Sequence, residues 1–201
     1  MDPDRELVER AKGGDYEAFR ELVERHQGRI FGAARRITGS AQDAEDVVQE
    51  TFLSVIEHVA EFRGDAPFAA WLLRIATNHA LKALRKRRGL PTVPIDESLP
   101  RPEAVERWRD EPERLAEDPA VRKLIEAAID ELDDLHRPVF VLRDVEGLST
   151  EATAEALGIS VANAKVRLMR ARLKLRERLT RALGDGKPVT RGPHADQGDG
   201  R

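Results

Sequence analysis

The stretch FRGDAPFAAWLLRIATNHALKALRKRR, residues 62–88, sets three aromatic rings, Phe62, Phe68 and Trp71, ahead of a run of positive charge. From Ala66 to Arg88 there are six Lys/Arg and no Asp or Glu. Cations hold phosphates, and aromatic rings stack on bases that have left a duplex at about 1–3 kcal/mol per base, so this composition suits an opened nucleic-acid strand. Arg74, Lys82, Arg85, Lys86, Arg87 and Arg88 supply the charge, and Asn78, one turn before Lys82, carries an amide able to bond a base edge. Phe68, Trp71, Leu72 and Ile75 also recur at helical spacing and suit a packed core. That leaves Phe62 and Arg63, in the loop, as the better candidates for touching a base.

A second basic stretch lies near the other end. From Asn163 to Arg181 there are eight basic residues and one acid, Glu177. Ala164, Leu168, Ala171, Leu175 and Leu179 recur at spacings of three and four, so the cations Lys165, Arg167, Arg170, Arg172 and Lys174 share the opposite face with Asn163. The preceding EGLSTEATAEALGIS has the make-up of a helix-turn-helix: small Ala154 where two helices cross, Gly158 for the left-handed turn residue, Ile159 under the turn and Ser160 as a cap. Such a helix enters the major groove of duplex DNA, its first residues on base edges and the rest near phosphates. A solvated basic face is the plainer alternative, but turn residues, small residue and charge bias agree on DNA.

Asp43, Asp46 and Glu50 form an acidic stripe, with Gln49 and the apolar Leu53 beside it. A solvated face, a metal site and a protein-docking patch are the three readings; no His joins at ligand spacing, and an outward leucine among carboxylates fits docking. The five histidines, His26, His58, His79, His136 and His194, are scattered without a nucleophile or metal constellation, and no phosphate-binding loop is present. Catalytic residues, metal ligands and cofactors are therefore not expected, and the chain is not expected to be an enzyme.

These segments need scaffolds. The 201 residues are 35% charged and 4% aromatic with no cysteine, which favours helices and excludes disulfides, zinc knuckles and thiol chemistry. The net charge of -3 averages over strongly segregated stretches. No apolar run approaches the ~18–20 residues of a membrane span, and MDPDRELVER is no signal peptide, so no membrane insertion and a cytoplasmic place are expected. Asp2 and Pro3 mark the start of a short helix ending at Gly13-Gly14, and Asp15 caps the next, which Gly39-Ser40 ends. Ala44, Val48, Phe52, Val55 and Val59 mark the inner stripe of a third, and Asp65 with Pro67 the start of a fourth. Residues 91–118 hold five prolines, nine Asp/Glu and four Lys/Arg, an extended acidic linker. Asp118-Pro119 opens four more helices. The expected fold is all-α, two helical domains at 1–88 and 119–183 joined by a flexible linker at 89–118, with a disordered Gly- and Asp-rich tail at 184–201.

DAEDVVQETFLSV, residues 62–88, and LSTEATAEALGISVANAKVRLMRARLKLRERL, in this order and separated by a linker, resemble the extracytoplasmic-function (ECF) sigma factors of the sigma-70 family over about residues 15–88 and 119–181. The resemblance implies a promoter-specificity subunit of bacterial RNA polymerase. Its first domain, sigma region 2, would recognise and melt the -10 element, and its second, the region 4 helix-turn-helix, would read the -35 element. Carried over by position, Asp46, Gln49, Glu50 and Leu53 fall on the segment that docks on the β′ coiled coil of the core enzyme. Phe62, Arg63, Gly64 and Asp65 match a pocket for a flipped non-template base. Asn78, Lys82, Arg85 and Arg88 fall on the -10 helix, and Asn163, Lys165, Val166, Arg167, Met169 and Arg170 on the -35 helix. The implied partners are core RNA polymerase through its β′ coiled coil and β flap, promoter DNA, and an anti-sigma factor. Lys82 stands where the family often has an acid or amide, and Ala162-Asn163-Ala164 where a Gly-Thr-Val type sequence is usual. A stand-alone helix-turn-helix regulator is the alternative; it would bind DNA without polymerase.

Overall fold

The computed structural model describes residues 2–88 and 119–183. The expected linker and tail lie outside the described residues. Helix α1, Arg5–Lys12, begins later than Pro3 suggests. Asp2 does a different job: one carboxylate oxygen accepts the Asp4 amide at 3.1 Å, the other the Phe68 amide at 2.8 Å. The fourth helix is thus fastened at its start by a carboxylate 66 residues away, where the sequence points to Asp65.

Helix α2, Tyr16–Thr38, is capped by Asp15, whose carboxylate accepts from the Glu17 and Ala18 amides at 3.0 and 3.1 Å. The Ala18 amide and the Arg10 guanidinium hold the Asp15 carboxyl below its ordinary range. The helix stops at Gly39, φ +71°, a left-handed conformation that costs a side-chain-bearing residue about 1–2 kcal/mol. Helix α3, Ala41–His58, is capped by Ser40 and buries Ala44, Val47, Thr51, Phe52 and Val55. Val47 and Thr51, rather than Val48, complete the inner face; Val48 is only half-buried. A 3-10 turn, Val59–Glu61, leads through residues 62–67 into α4, Phe68–Arg88. Buried hydroxyls stay satisfied: Thr38, Thr51 and Thr77 donate to the carbonyls of Ala34, Val47 and Leu73 four residues back. Asp4, 2% exposed, is satisfied by His26 Nε2 at 2.8 Å and Arg25 Nη1 at 2.7 Å. Helices α1 to α4 make the N lobe.

The C lobe comprises α5, Pro119–Asp130; α6, Arg137–Phe140; α7, Thr150–Leu157; and α8, Val161–Leu183. Helix α6 widens into a π turn, Val141–Val145, where the Glu146 amide donates to Val141 O at 2.9 Å. Arg137 is buried, and its guanidinium donates to the Asp130 and Leu132 carbonyls, closing the end of α5. The described residues contain no strand, and no helix among them is long and apolar enough to cross a membrane. The lobes touch: α4 packs on α7, and α2 on α6 and the π turn, so the buried residues of both lobes form one contiguous apolar cluster.

Candidate nucleic-acid interface

Helix α4 turns Phe68, Leu72, Leu73, Ala76, Thr77, Ala80 and Leu84 inward. The remaining positions fix what it shows outside. Arg74, Asn78, Lys82 and Arg85 fall on one stripe at spacings of four, four and three. Asn78, Lys82 and Arg85 are exposed, as is Lys86, and none makes an ion pair or side-chain hydrogen bond among the described residues. Two cations of the run are engaged within the protein. Arg87 donates to Asp43 at 2.8 Å and to Thr38 O at 2.5 Å, tying the end of α4 to the α2–α3 corner. Arg74 pairs with Glu155 of α7. The backbone of Arg88 closes the helix.

The loop before α4 differs from the sequence expectation at its aromatic. Phe62 is 8% exposed, its ring centroid 5.6 Å from Phe68 and 5.3 Å from Trp71, and the Lys12 ammonium sits 5.7 Å above it. A ring so enclosed offers no open face for stacking; Phe62 belongs to the lobe core, and Trp71, half-buried, is the accessible edge of the cluster. Arg63, Gly64 and Asp65 are exposed, with Gly64 at φ +79° making the bend. The aromatic cluster fixes this loop beside the first turn of α4, so Arg63, Gly64, Asp65 and the α4 stripe occupy neighbouring ground.

On α3 the exposed residues Asp46, Gln49, Glu50 and Leu53 share one side. Leu53 is 55% exposed, and Ile56, one turn further at 58%, extends the apolar centre. The spacing of three from Leu53 is the sequence signal for Ile56, and the neighbouring Val55, which belongs to the inner face, masks it. Asp43 stands apart from the patch because it pairs with Arg87. His79, on the inner flank of α4, meets Ser54 of α3 at 3.0 Å; burial, with Lys82 adding, pushes its pKa down against the pull of Glu50.

The helix-turn-helix is built as its residues suggest. Ser149 caps α7, Gly158 adopts φ +65°, the Ile159 amide donates to Ala154 O at 3.0 Å, and Ser160 Oγ accepts the Asn163 amide at 3.1 Å. Ala164, Leu168, Ala171 and Leu175 are buried. The basic face of α8 divides into two. Three cations of its C-terminal half are used internally: Arg172 grips Asp144 with two bonds of 2.7 Å, Lys174 pairs with Asp133, and Arg178 with Glu131 at 2.6 Å. Its N-terminal half presents Asn163, Lys165, Val166, Arg167, Met169 and Arg170, with Lys165 exposed and the others partly so. Arg167 donates to Asn163 Oδ1 at 3.0 Å, and burial lowers its pKa from the ordinary guanidinium value.

Two family models match: Sigma-70 region 2 over residues 22–89 and Sigma-70 region 4 over residues 122–175. The RNA polymerase sigma-H factor of Pseudomonas aeruginosa is 35% identical over 176 residues, 86% of this chain and 91% of that protein. This chain belongs to the ECF sigma factors of the sigma-70 family. The sigma factor is also 34% identical to the ECF sigma factor SigE of Mycolicibacterium smegmatis over 80% of its own length and 61% of that protein's. The structure of CnrH in complex with the cytosolic domain of CnrY superposes with a TM-score of 0.61 at 31% identity, covering 89% of this chain and 97% of that one. Both lobes are therefore accounted for, and the alternative of a stand-alone regulator is set aside. Sigma factors direct RNA polymerase to promoters for transcription initiation.

Proposed function

We propose that the sigma factor divides its task among three surfaces. Residues Asn163, Lys165, Val166, Arg167, Met169 and Arg170 on α8 read the duplex -35 element. Arg63, Gly64 and Asp65, braced by Phe62, take a base out of the -10 element while Asn78, Lys82, Arg85 and Arg88 hold the opened strand. Asp46, Gln49, Glu50, Leu53 and Ile56 dock on the β′ coiled coil, and the C lobe contacts the β flap.

The observation that carries this reading is the contrast within each basic stretch. Arg87, Arg172, Lys174 and Arg178 are spent on carboxylates, whereas Lys82, Arg85, Lys86 and Lys165 stand exposed. Extruding a base costs on the order of a few kcal/mol, which the loop and the phosphate contacts offset. No hydrolysis is needed for these steps, and the role proposed is a non-enzymatic one beside RNA polymerase in the cytoplasm. CnrH is bound to a cytosolic protein domain in its complex, and the resemblance extends to an anti-sigma partner here.

Run-off transcription with added core polymerase, with gel shifts and permanganate footprints, tests the division. Arg170→Ala is expected to weaken binding to a -35 duplex by about 5- to 100-fold, the worth of one good base or phosphate contact, and leave strand opening on a pre-melted template unchanged. Arg63→Ala is expected to do the reverse. Equal defects from the two variants overturn the assignment. Asp46→Ala with Glu50→Ala is expected to lower core-polymerase capture in a pull-down with unchanged helicity; unaltered capture refutes the docking role.

A further inference from the structure

The exposed residues 63–67 run into the first turn of α4, yet that turn supplies no side-chain cap of its own. Pro67 O accepts the Ala70 and Trp71 amides at 2.9 and 3.2 Å, so Pro67 stands at the cap position with no side-chain oxygen to offer. No acid lies in the turn. The Phe68 amide is taken instead by Asp2 Oδ2 at 2.8 Å, from 66 residues earlier in the chain. A carboxylate at this place also suits the positive end of a 21-residue helix.

Asp2 is itself held. Its Oδ1 accepts the Asp4 amide at 3.1 Å, and its carbonyl accepts the Arg5 amide at 3.3 Å. Pro3, between the two acids, has its φ fixed by its ring. The buried Asp4 carboxylate is bound by His26 and Arg25 of α2. His26 in turn meets the Phe68 ring edge-on, with centroids 5.7 Å apart. Residues 2–4 thus strap the start of α4 to the middle of α2 and hold Phe68 both by its amide and by its ring. Phe68 is also a wall of the Phe62 site, so both ends of the loop depend on it. Between these anchors, none of the amides of residues 63–67 donates to a backbone carbonyl among the described residues. Asp65 has the residue type of a cap, and it is spared that duty because Asp2 performs it.

We propose, on the -10 reading of this loop, that Asp2 is a positioning residue for strand opening: by capping α4 from outside, it fixes Arg63, Gly64 and Asp65 where an extruded base arrives and leaves the Asp65 carboxylate free for that base. A loop already in place need not be ordered during capture, so the brace acts on the rate of opening and not on duplex binding. Simple charge predicts the opposite sign, since removing a carboxylate beside a phosphate-binding surface strengthens contact with DNA.

The chain has no cysteine, so Ala66→Cys in the exposed loop takes a single spin label whose mobility reports on the loop in the full chain. Asp2→Ala should raise that mobility, and Asp2→Glu, which keeps two acceptor oxygens, should restore most of the order. With core polymerase, unlabelled Asp2→Ala should slow open-complex formation at saturating holoenzyme by about 3- to 10-fold, the worth of one part-buried hydrogen bond, as read by permanganate. Affinity for a -35 duplex and capture of core polymerase should be unchanged, and Asp2→Glu should recover the rate. Unaltered label mobility in Asp2→Ala overturns the brace. So does a fall in opening, duplex affinity and core capture together, which marks lost folding instead of a displaced loop. Arg63→Ala is the reference. If it slows opening and Asp2→Ala does not, positioning by Asp2 is refuted while the -10 reading stands. If neither slows opening although the label loosens, the -10 reading of the loop fails and the positioning role falls with it.

Discussion

Phe62 and Arg63 are adjacent yet answer to different physics. The Phe62 ring is packed on Phe68 and Trp71, so Phe62→Ala removes core and is expected to cost about 3–5 kcal/mol, a large part of a typical domain's stability. Arg63 is exposed, and Arg63→Ala should leave the melting temperature within a degree or two while impairing strand opening. Thermal denaturation of both variants separates scaffold from contact. His136 gives a pH signature. Burial pushes its pKa down, against the pull of Asp133, while Lys174 and Arg170 add to the lowering. Its Nδ1 lies 2.6 Å from Asp133 Oδ1, and burial of that carboxylate is outweighed by the Lys174 and His136 bonds, which hold it well below the usual range. Near pH 6.5 the unfolded chain takes up a proton that folded His136 resists. The unfolded state then binds more protons, so stability is full above that pH and is lost progressively on acidification below it. His79 shifts the same way. Urea midpoints at pH 7.5 and 5.5 should fall on acidification in the natural chain and fall less in His136→Gln.

At the scale of the element, caps matter more than propensity. Ser160 fixes the first turn of α8 without facing DNA, so Ser160→Ala is expected to cost about 1 kcal/mol and to weaken -35 binding through fraying of the turn that carries Asn163 and Lys165. A helicity loss without a binding loss contradicts that coupling. Local devices of this kind are legible in a sequence: Asp15, Ser40, Gly39, Gly158 and Ser160 all act on residues within a few positions of themselves. The stripe Ala164, Leu168, Ala171 and Leu175 is legible for the same reason, since one helical period fixes it. What escapes is whatever depends on a partner far along the chain. Asp65 has the residue type and place of a cap, yet the Phe68 amide is taken by Asp2, which arrives because α1 packs against α2 and the 3-10 turn. Phe62 has the look of a loop aromatic, yet a pocket formed by Phe68, Trp71 and Lys12 encloses it. Helical spacing gives a period but not which neighbour fills it.

Over the whole molecule, four ion pairs among the described residues join an N-lobe arginine to a C-lobe carboxylate: Arg29 with Glu146, Arg35 with Asp130, Arg36 with Glu126 and Arg74 with Glu155. They lie 81 to 117 residues apart for Arg74, Arg36 and Arg29, and no local pattern announces them. Their strength is modest. Partly exposed ion pairs are worth about 0.2–1 kcal/mol each, so the four sum to about 1–3 kcal/mol after screening, with apolar contact between the lobes adding to it. Coupling of that size is comparable to the difference in stability expected between two small lobes, and so it decides whether they unfold together. At about 20 mM salt the sigma factor should melt in one calorimetric transition. At about 0.5 M salt, where the Debye length shrinks to a few ångströms, the transition should broaden or divide into two as each lobe follows its own stability. Arg29→Glu should divide it already at low salt, because it leaves the buried Glu146 carboxylate facing another negative charge. The swap with Glu146→Arg should return a single transition. Two transitions at every salt concentration, unmoved by these substitutions, would mean that the lobes are thermodynamically independent.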